Sequence, residues 1–261
     1  MPAPLENLVR ERWKAGKPTI NGWLTLPNSI SAELMARAGF DTLTIDMQHG
    51  PIDYANLREI LTALTPTDVT PLVRVPNSDP TFVTRVLDLG ALGLICPMIN
   101  SADEARSFAA GARYYPAGNR SAAPCRASMI YGAEYFTKAN DAVLVLGMVE
   151  TQAAIENLDQ ILEVEGLDGI YVGPNDLGVA LGMPSGTDRE EPEFLRLLED
   201  IAKRSLKHGK IPGLHTNSAS YAARAVAMGF GFVTVCSDSG LITSGANAVV
   251  KDIRGRLESR S

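Results

Sequence analysis

The sequence predicts a single-domain α/β protein of the (β/α)8 class, a TIM barrel. Three observations predict it: eight short apolar runs rich in β-branched residues, a segment of helical period after each run, and a length of 261 residues. Apolar strands that alternate with amphipathic helices indicate parallel strands with helical crossovers. Eight such units in about 250 residues match a closed barrel. A doubly wound sheet is the alternative, but no G-x-G-x-x-G follows the first strand.

The predicted elements alternate regularly along the chain. A helix over about residues 4–15 precedes the barrel. Several segments between strands end in glycine, which commonly terminates a helix; Gly90, Gly209 and Gly229 are examples. We therefore assign residues 1–261 to one barrel domain. The eight predicted strands span residues 19–26, 41–46, 70–75, 92–99, 142–150, 167–173, 210–215 and 231–237.

Two segments are too long for simple connections. Residues 112–132, ARYYPAGNRSAAPCRASMIYG, are rich in glycine, proline and arginine. Long loops in a compact domain are more often functional than idle, so we expect this segment to be an active-site loop. Residues 181–193, LGMPSGTDREEPE, form a second excursion before the helix of the sixth unit.

Composition excludes several functional classes. The net charge is −6 and no cluster of lysine and arginine stands out, so nucleic acid and anionic membranes are poor partners. We expect no membrane span and no signal peptide, because long apolar runs are absent and residues 1–18 are charged. Cys96, Cys125 and Cys236 are widely spaced and odd in number, which fits reduced thiols in a cytoplasmic protein.

Chemically active side chains concentrate at the carboxyl ends of the predicted strands. Barrel enzymes hold their catalytic residues at this end, which we call the mouth. A converging set of ionisable groups there indicates an active site, although Asp-x-x-His in TIDMQHG is weak evidence by itself. The set comprises Trp23, Asp46, His49, Arg74, Glu150, Asp176 and His215.

Structural alternatives exist for each candidate. Asp176 in GPNDLG can cap the helix that follows it. Arg74 lies in an otherwise apolar strand, where it can form a plain ion pair. His49 and His215 can be satisfied turn histidines. Glu150, which ends the apolar run VLVLGMV, is the hardest to explain by structure alone.

The two carboxylates Glu150 and Asp176 come from adjacent strands without a neighbouring histidine or cysteine ligand. Oxygen-only sites of this kind suit Mg²⁺ or Mn²⁺, with Co²⁺ possible, and substrate oxygens complete the coordination. An arginine beside the ion can stabilise an oxyanion, and a histidine can move a proton near neutral pH. No lysine ends a strand, which argues against a Schiff-base aldolase. The set suits enolate chemistry next to a 2-oxo acid.

Six motifs follow one another along the chain: GFDTLTIDMQHGPIDY, PLVRVPNSDP, ALGLICPMINSADEAR, ARYYPAGNRS, LGMVET and DGIYVGPNDLGVALG. In this order they resemble the HpcH/HpaI aldolases, metal-dependent enzymes that act on 4-hydroxy-2-oxo acids. The resemblance covers residues 19 to about 245, nearly the whole chain. The ordered set is specific, whereas MVET or GPNDL alone would be weak.

The resemblance implies a reversible aldol reaction that gives pyruvate and an aldehyde. It implies that Glu150 and Asp176 bind the divalent metal. Arg74 would stabilise the enolate at the C2 oxygen, and His49 would transfer the proton of the C4 hydroxyl.

The remaining site residues are assigned to the substrate. Trp23 and Asp46 would line the mouth, and Gly173 and Asn175 in the GPND turn would receive the substrate carboxylate. We also expect Arg120, in the long loop, to face the aldehyde. His215 stands where the family often has an apolar residue facing the aldehyde.

Asp88 matches the aspartate that works with the catalytic histidine in the family. It lies near the end of the third barrel helix, which should be at the face opposite the mouth. If Asp88 orients His49, it reaches in from another subunit; the alternative is a surface charge. The resemblance implies a homo-oligomer, a hexamer, and a C-terminal helix that exchanges with a neighbour, whereas the sequence also permits packing on its own barrel.

Two departures from the family pattern affect the pocket. Met148 stands where many members have glutamine, and Gln48 stands where glutamate is common. They leave the metal and enolate roles intact.

Two other functions compete with the aldolase. One is an acyl-CoA lyase of the citrate- or malyl-CoA-lyase type, for which Arg113, Arg120 and Arg126 could bind the CoA. The other is a barrel that binds 2-oxo acids without turning them over, which His49 argues against. The sequence leaves the physiological aldehyde and the preferred metal open.

Overall fold

The fold is a closed barrel of eight parallel strands, shown by a computed structural model that describes residue 5 and residues 7–259. The strands are β1 Thr19–Leu24, β2 Thr42–Asp46, β3 Thr70–Arg74, β4 Gly93–Cys96, β5 Leu144–Val149, β6 Gly169–Val172, β7 Ile211–His215 and β8 Phe232–Ser237. Neighbours pair in sequence order, and β8 pairs with β1 to close the barrel. Each observed strand lies inside a predicted one, so the predicted fold class is confirmed.

Helices alternate with the strands. The predicted helix over about residues 4–15 is observed as α1; residues 1–4 and 6 lie outside the described part of the chain. The helices are α1 Leu8–Lys14, α2 Ser29–Ala36, α3 Tyr54–Leu64, α4 Pro80–Asp88, α5 Ala102–Ala112, α6 Cys125–Tyr131, α7 Tyr135–Ala142, α8 Gln152–Glu156, α9 Leu158–Leu162, α10 Pro174–Ala180, α11 Pro192–Lys207, α12 Ala219–Ala227 and α13 Asp238–Glu258.

Polar side chains cap the start of many of these helices. Ser101, for example, forms a capping box with Glu104 at the start of α5, which stabilises a helix by about 1 kcal/mol. The start of α10 differs, because its N-cap is Gly173 and no side chain caps it. Asp176 lies inside the first turn of α10, so the alternative that it caps this helix is wrong.

The core of the barrel has two layers, and a third small cluster lies around Tyr114 and Tyr135. The larger layer fills the space between the strands and the surrounding helices. The smaller layer fills the barrel itself with Trp23, Leu72, Ile95, Leu146, Met148, Tyr171 and Phe232. Polar side chains share the barrel interior and are also buried: Asn21, Thr42, Thr44 and Thr234.

Strand register brings the predicted site residues together at the mouth. Asp46 at the end of β2 lies opposite Arg74 at the end of β3. β5 and β6 end with Val149 opposite Val172, so Glu150 leaves the barrel beside the turn that opens α10.

The segment over residues 112–132 lies at the face opposite the mouth. It connects the end of α5 to the start of β5, and such connections belong to that face. There, Arg126 donates to the carbonyl oxygen of Leu89 and Tyr131 donates to that of Gly90, both just before β4. This corrects the expectation that the segment is an active-site loop of its own barrel. The length of the segment does not determine on which face of the barrel it lies. Its position between a helix and the next strand does.

The excursion over residues 181–193 does lie on the mouth side. Asp188 accepts from the amide of Asn217 and the hydroxyl of Ser218, at the start of α12. Arg189 is buried, and its carbonyl oxygen accepts from the hydroxyl of Tyr221. The excursion is therefore fastened to the first turn of α12.

The C-terminal helix α13 contacts β1, β8 and α2, and of its residues only Asp238 is buried. This differs from the alternative in which α13 packs along its own barrel. Several apolar side chains of α13 are exposed on the isolated chain: Leu241, Ile242, Val249, Val250, Ile253 and Leu257.

Among the described residues, no helix is long and apolar enough to cross a membrane.

Candidate active site

Asp46 is the centre of a buried polar cluster at the mouth. Its side chain is 2% exposed and accepts two hydrogen bonds from Arg74, Nε to Oδ1 at 2.9 Å and Nη2 to Oδ2 at 2.5 Å. The indole Nε1 of Trp23 donates to Oδ2 at 3.2 Å, and the amide of His49 donates to Oδ1 at 3.2 Å. Burial alone would raise the pKa of Asp46, but these partners, Arg74 foremost, lower it below its ordinary value of 3.8.

Arg74 is fixed from two sides. Besides the pair with Asp46, its guanidinium carbon lies 4.9 Å from the ring centroid of Trp23. Both hydrogen bonds to Asp46 use Nε and Nη2, and no protein acceptor in the described chain takes Nη1. The structural alternative of an ion pair is therefore realised, yet the pair leaves one edge of the guanidinium for a substrate oxygen.

The imidazole of His49 is exposed on the loop after β2. Only its backbone amide is hydrogen-bonded to a described residue, which leaves the ring free to meet a substrate. The alternative of a satisfied turn histidine therefore applies to the amide and not to the ring.

Glu150 and Asp176 lie at the neighbouring part of the mouth, close enough for the charge of Asp176 to act on Glu150. Glu150 is 2% exposed, and its Oε1 accepts from the amide of Met98 at 2.8 Å. Met98 has φ +57°, a left-handed conformation that is uncommon outside glycine. A Cβ on Gly173 would lie 2.5 Å from Oε2 of Glu150, so a side chain there would displace the carboxylate.

The charges of these two carboxylates are poorly compensated by protein. Burial raises the pKa of Glu150, and the negative charge of Asp176 raises it further, whereas the amide of Met98 and the charge of Arg74 lower it. In the described chain, no hydrogen bond or ion pair reaches Oε2 of Glu150 or the exposed carboxylate of Asp176. Oxygen donors with uncompensated negative charge fit a hard divalent cation.

Such an ion would have few protein ligands. No group of three or more His, Cys, Asp or Glu side chains converges in the part of the chain that the structure describes. The rest of the coordination sphere would therefore come from water or substrate, which is typical of a catalytic site.

His215 ends β7 and is part of a polar network that sequence reasoning missed. Its Nδ1 lies 2.9 Å from the hydroxyl of Tyr171, which lies 2.6 Å from Oγ1 of Thr234. The ring also packs on Trp23 in a T-shaped arrangement, with ring centroids 4.8 Å apart and an angle of 86° between the ring planes. Burial, followed by the charge of Arg74, lowers the pKa of His215 to about 4, so this histidine is neutral near pH 7.

The remaining candidates for substrate binding, Gly173 and Asn175, form few hydrogen bonds with other described side chains. Asn175 is exposed, and its Oδ1 accepts from the hydroxyl of Ser185 at 3.4 Å. Gly173 and Asn175 lie together in the turn that opens α10, next to Glu150.

Asp88 and Arg120 are not brought to the mouth of their own barrel. They pair with each other, Nη2 to Oδ1 at 2.8 Å, at the opposite face. Arg120 is fully buried, bonds the hydroxyl of Tyr135 and lies 4.5 Å from the ring centroid of Tyr114. The expectation that Arg120 lines the mouth is corrected within one chain, because its partners belong to α4, α7 and the start of the long connection.

Arg120→Ala should lower the free energy of unfolding by about 3 kcal/mol, because it leaves Asp88 and Tyr135 without their buried cationic partner. Urea denaturation at neutral pH measures this loss. Arg58→Ala is the matched control, since Arg58 is exposed and lies 3.9 Å from Glu59. Equal stability of the two variants would contradict a structural role for Arg120.

Comparison with known proteins agrees with this geometry. The profile of the HpcH/HpaI aldolase/citrate lyase family matches residues 20–243. A hydroxypyruvate/pyruvate aldolase of Rhizorhabdus wittichii is 39% identical over 248 residues, which are 95% of this chain and 99% of that protein. A 4-hydroxy-2-oxo-heptane-1,7-dioate aldolase of Klebsiella pneumoniae is also 39% identical over 248 residues, 94% of this chain and 93% of that protein.

Solved structures extend the agreement to the fold. The crystal structure of an HpcH/HpaI aldolase/citrate lyase family protein from Burkholderia cenocepacia superposes with a TM-score of 0.88 at 28% identity. The match covers 95% of this chain and 99% of that one. The chain belongs to the HpcH/HpaI aldolase/citrate lyase family.

Proposed function

We propose that this protein catalyses the reversible aldol cleavage of 4-hydroxy-2-oxo acids into pyruvate, or a related 2-oxo acid, and an aldehyde. It is then a carbon–carbon lyase. The observation that carries the proposal is the pair Glu150 and Asp176, whose carboxylates bond no described side chain, near the fixed guanidinium of Arg74. The aldolase names of the two relatives agree with it.

Glu150 and Asp176 would hold the divalent ion, for which we propose Mg²⁺ or Mn²⁺, with Co²⁺ as a further candidate. When bound, such an ion polarises the 2-oxo group as a Lewis acid. Gly173 and Asn175, in the turn beside Glu150, would position the carboxylate end of the substrate.

The other residues of the mouth act on protons and charge. The ring of His49 takes the proton from the C4 hydroxyl, and the C3–C4 bond breaks to release the aldehyde. The electron pair of that bond passes into the enolate of pyruvate, whose C2 oxygen accepts from Arg74. Protonation at C3 then gives pyruvate. Asp46 and Trp23 keep Arg74 in place throughout.

Acyl-CoA lyase activity is the weaker alternative. Arg113, Arg120 and Arg126 were the candidates for binding the CoA, and the structure uses all three in contacts at the face opposite the mouth. Within one chain they do not reach the carboxylates.

Release of pyruvate from 4-hydroxy-2-oxoheptanedioate should require the metal. Excess EDTA should reduce the rate to the background, and added Mg²⁺ or Mn²⁺ should restore it, because Glu150 and Asp176 cannot by themselves polarise the 2-oxo group. Comparison of Mg²⁺, Mn²⁺ and Co²⁺ at equal free concentration ranks the ions. Turnover of malyl-CoA without pyruvate release would instead support the acyl-CoA lyase.

We also propose a cytoplasmic homo-oligomer, a hexamer by resemblance to the family. Cys96, Cys125 and Cys236 are free thiols, as a reducing compartment requires. The exposed apolar side chains of α13 need cover, and exchange of this helix between subunits would provide it.

Asp88 would meet His49 only across a subunit boundary. Light scattering on the purified protein measures the number of subunits.

A further inference from the structure

A continuous chain of hydrogen bonds runs through the barrel interior up to the mouth. It starts at Asn21, whose Nδ2 donates to Oγ1 of Thr234 at 2.8 Å. Oγ1 of Thr234 lies 2.6 Å from the hydroxyl of Tyr171, and this hydroxyl lies 2.9 Å from Nδ1 of His215. Asn21 and Thr234 are fully buried, so their polar groups need hydrogen-bond partners within the protein.

Two threonines fix the direction of this chain. Thr42 and Thr44 are fully buried, and their hydroxyls donate to Oδ1 of Asn21 at 2.7 and 3.0 Å. Oδ1 therefore faces these two residues, and Nδ2 faces Thr234. Turning the amide around would leave the hydrogens of Thr42 and Thr44 without an acceptor among the described side chains.

The direction then passes from residue to residue. Thr234 accepts from Asn21, and among the described residues the hydroxyl of Tyr171 is the acceptor that its own hydrogen can reach. Burial raises the pKa of Tyr171, which therefore keeps its proton and donates it to Nδ1 of His215. The reverse direction would leave the hydroxyl hydrogen of Thr234 without an acceptor in the described chain.

His215 consequently carries its single hydrogen on Nε2. It stays neutral near pH 7, and no described residue accepts from Nε2. The side chain is partly exposed at the end of β7 and touches Trp23, which in turn packs on Arg74. The mouth therefore holds a neutral hydrogen-bond donor of fixed orientation, close to the guanidinium that meets the substrate.

We propose that His215 is a specificity-determining residue that selects aldehydes with an oxygen substituent on the carbon next to the carbonyl. This proposal rests on the aldol function proposed above. Nε2–H donates to that substituent, either in the free aldehyde or in the matching part of the 4-hydroxy-2-oxo acid. An alkyl aldehyde would cover Nε2–H without accepting from it, and leaving a donor unpaired in a site is unfavourable.

Glycolaldehyde and propanal provide the test, because they differ by a hydroxyl in place of a methyl group. We expect kcat/KM for addition to pyruvate to favour glycolaldehyde by at least about tenfold. His215→Leu should lower that ratio by about 10- to 100-fold, and His215→Gln, which keeps an N–H donor, should retain most of it. His208→Gln is the matched control, since His208 ends α11 beside Asp159, at the face opposite the mouth.

The hydrogen on His215 can be located without turnover. The chain has three histidines, at positions 49, 208 and 215, so ¹⁵N NMR resolves each ring. We expect the signals of an unprotonated Nδ1 and a protonated Nε2 for His215. Tyr171→Phe, which removes the donor to Nδ1, should give a mixture of the two tautomers.

The outcomes separate the two proposals. A hydrogen on Nδ1 of His215 would overturn the role of this residue. An active His215→Leu variant with an unchanged ratio of kcat/KM for glycolaldehyde and propanal would overturn it too. Either result would leave the aldol function standing. Absence of product with pyruvate and every aldehyde would contradict the aldol function, and with it the selectivity that depends on it.

Discussion

Glu150→Gln is expected to lower kcat/KM for pyruvate release by at least about 10³-fold, equivalent to about 4 kcal/mol of transition-state stabilisation. Glutamine keeps the shape of the side chain, and its carbonyl oxygen can still accept from the backbone N–H of Met98. It removes the negative charge that a hard cation requires, so the metal should be lost along with the activity. Steady-state kinetics at several Mn²⁺ concentrations and Mn²⁺ binding followed by electron paramagnetic resonance measure the two effects.

Stability separates this variant from a misfolded one. Glu150 is buried and its pKa is raised, so its charge is unfavourable in the metal-free fold. Glu150→Gln should therefore unfold at the same temperature as the metal-free wild type or higher. Glu163→Gln, an exposed glutamate outside the mouth, is the control for the loss of one charge. Normal Mn²⁺ affinity and turnover in Glu150→Gln would refute the assignment of the metal site.

The fold could be predicted from the sequence because the same pattern, an apolar strand followed by an amphipathic helix, occurs eight times. Each strand is a short apolar run, and each helix brings its own period and terminator, so errors of one or two residues at a boundary do not change the topology. The same regularity places Asp46, Arg74 and Glu150 at one end of the barrel. The face of the 112–132 segment also follows from this order, because a helix precedes the segment and the fifth strand follows it. The expectation of an active-site loop rested instead on length and composition, which do not distinguish a strand-to-helix loop from a helix-to-strand one.

The parts of the site that were missed depend on three-dimensional neighbours. Tyr171 and Thr234 are distant in sequence, and only closure of the barrel brings their hydroxyls together under His215. The sequence did indicate a polar barrel interior. Thr19, Asn21 and Trp23 alternate along β1 and therefore share its inner side. Met98 has no such signal, because its left-handed conformation and its bond to Glu150 arise from the loop after β4.

Arg74→Lys is expected to lower kcat/KM by about 10²–10³-fold. A lysine keeps the charge, but its ammonium group cannot bond both oxygens of Asp46 and also present a fixed N–H to the enolate oxygen. The loss should fall mainly on kcat, because the charge of the enolate develops only in the transition state. Kinetics with one 4-hydroxy-2-oxo acid measure it, with Arg58→Lys as the exposed control. A change in KM alone would contradict enolate stabilisation by Arg74.

Arg74→Ala adds a stability effect whose pH dependence identifies its origin. Asp46, 2% exposed, would lose its cation, which should cost about 3–5 kcal/mol at pH 7. In the wild type the pKa of Asp46 is below 3.8, so the pair stabilises the fold above that pH and the stabilisation is lost only as the pH falls through the folded pKa. In Arg74→Ala, burial without the cation raises the pKa of Asp46, so protonation begins at higher pH and relieves the cost.

The difference in unfolding free energy between wild type and Arg74→Ala should therefore be largest near pH 7 and shrink towards pH 4. Urea denaturation at both pH values measures it. Equal differences at the two pH values would mean that the loss comes from packing of the guanidinium on Trp23 and not from the charge left on Asp46. In that case Arg74 would stabilise the mouth mainly by its contact with Trp23, and its role at the enolate would be judged by the kinetics of Arg74→Lys.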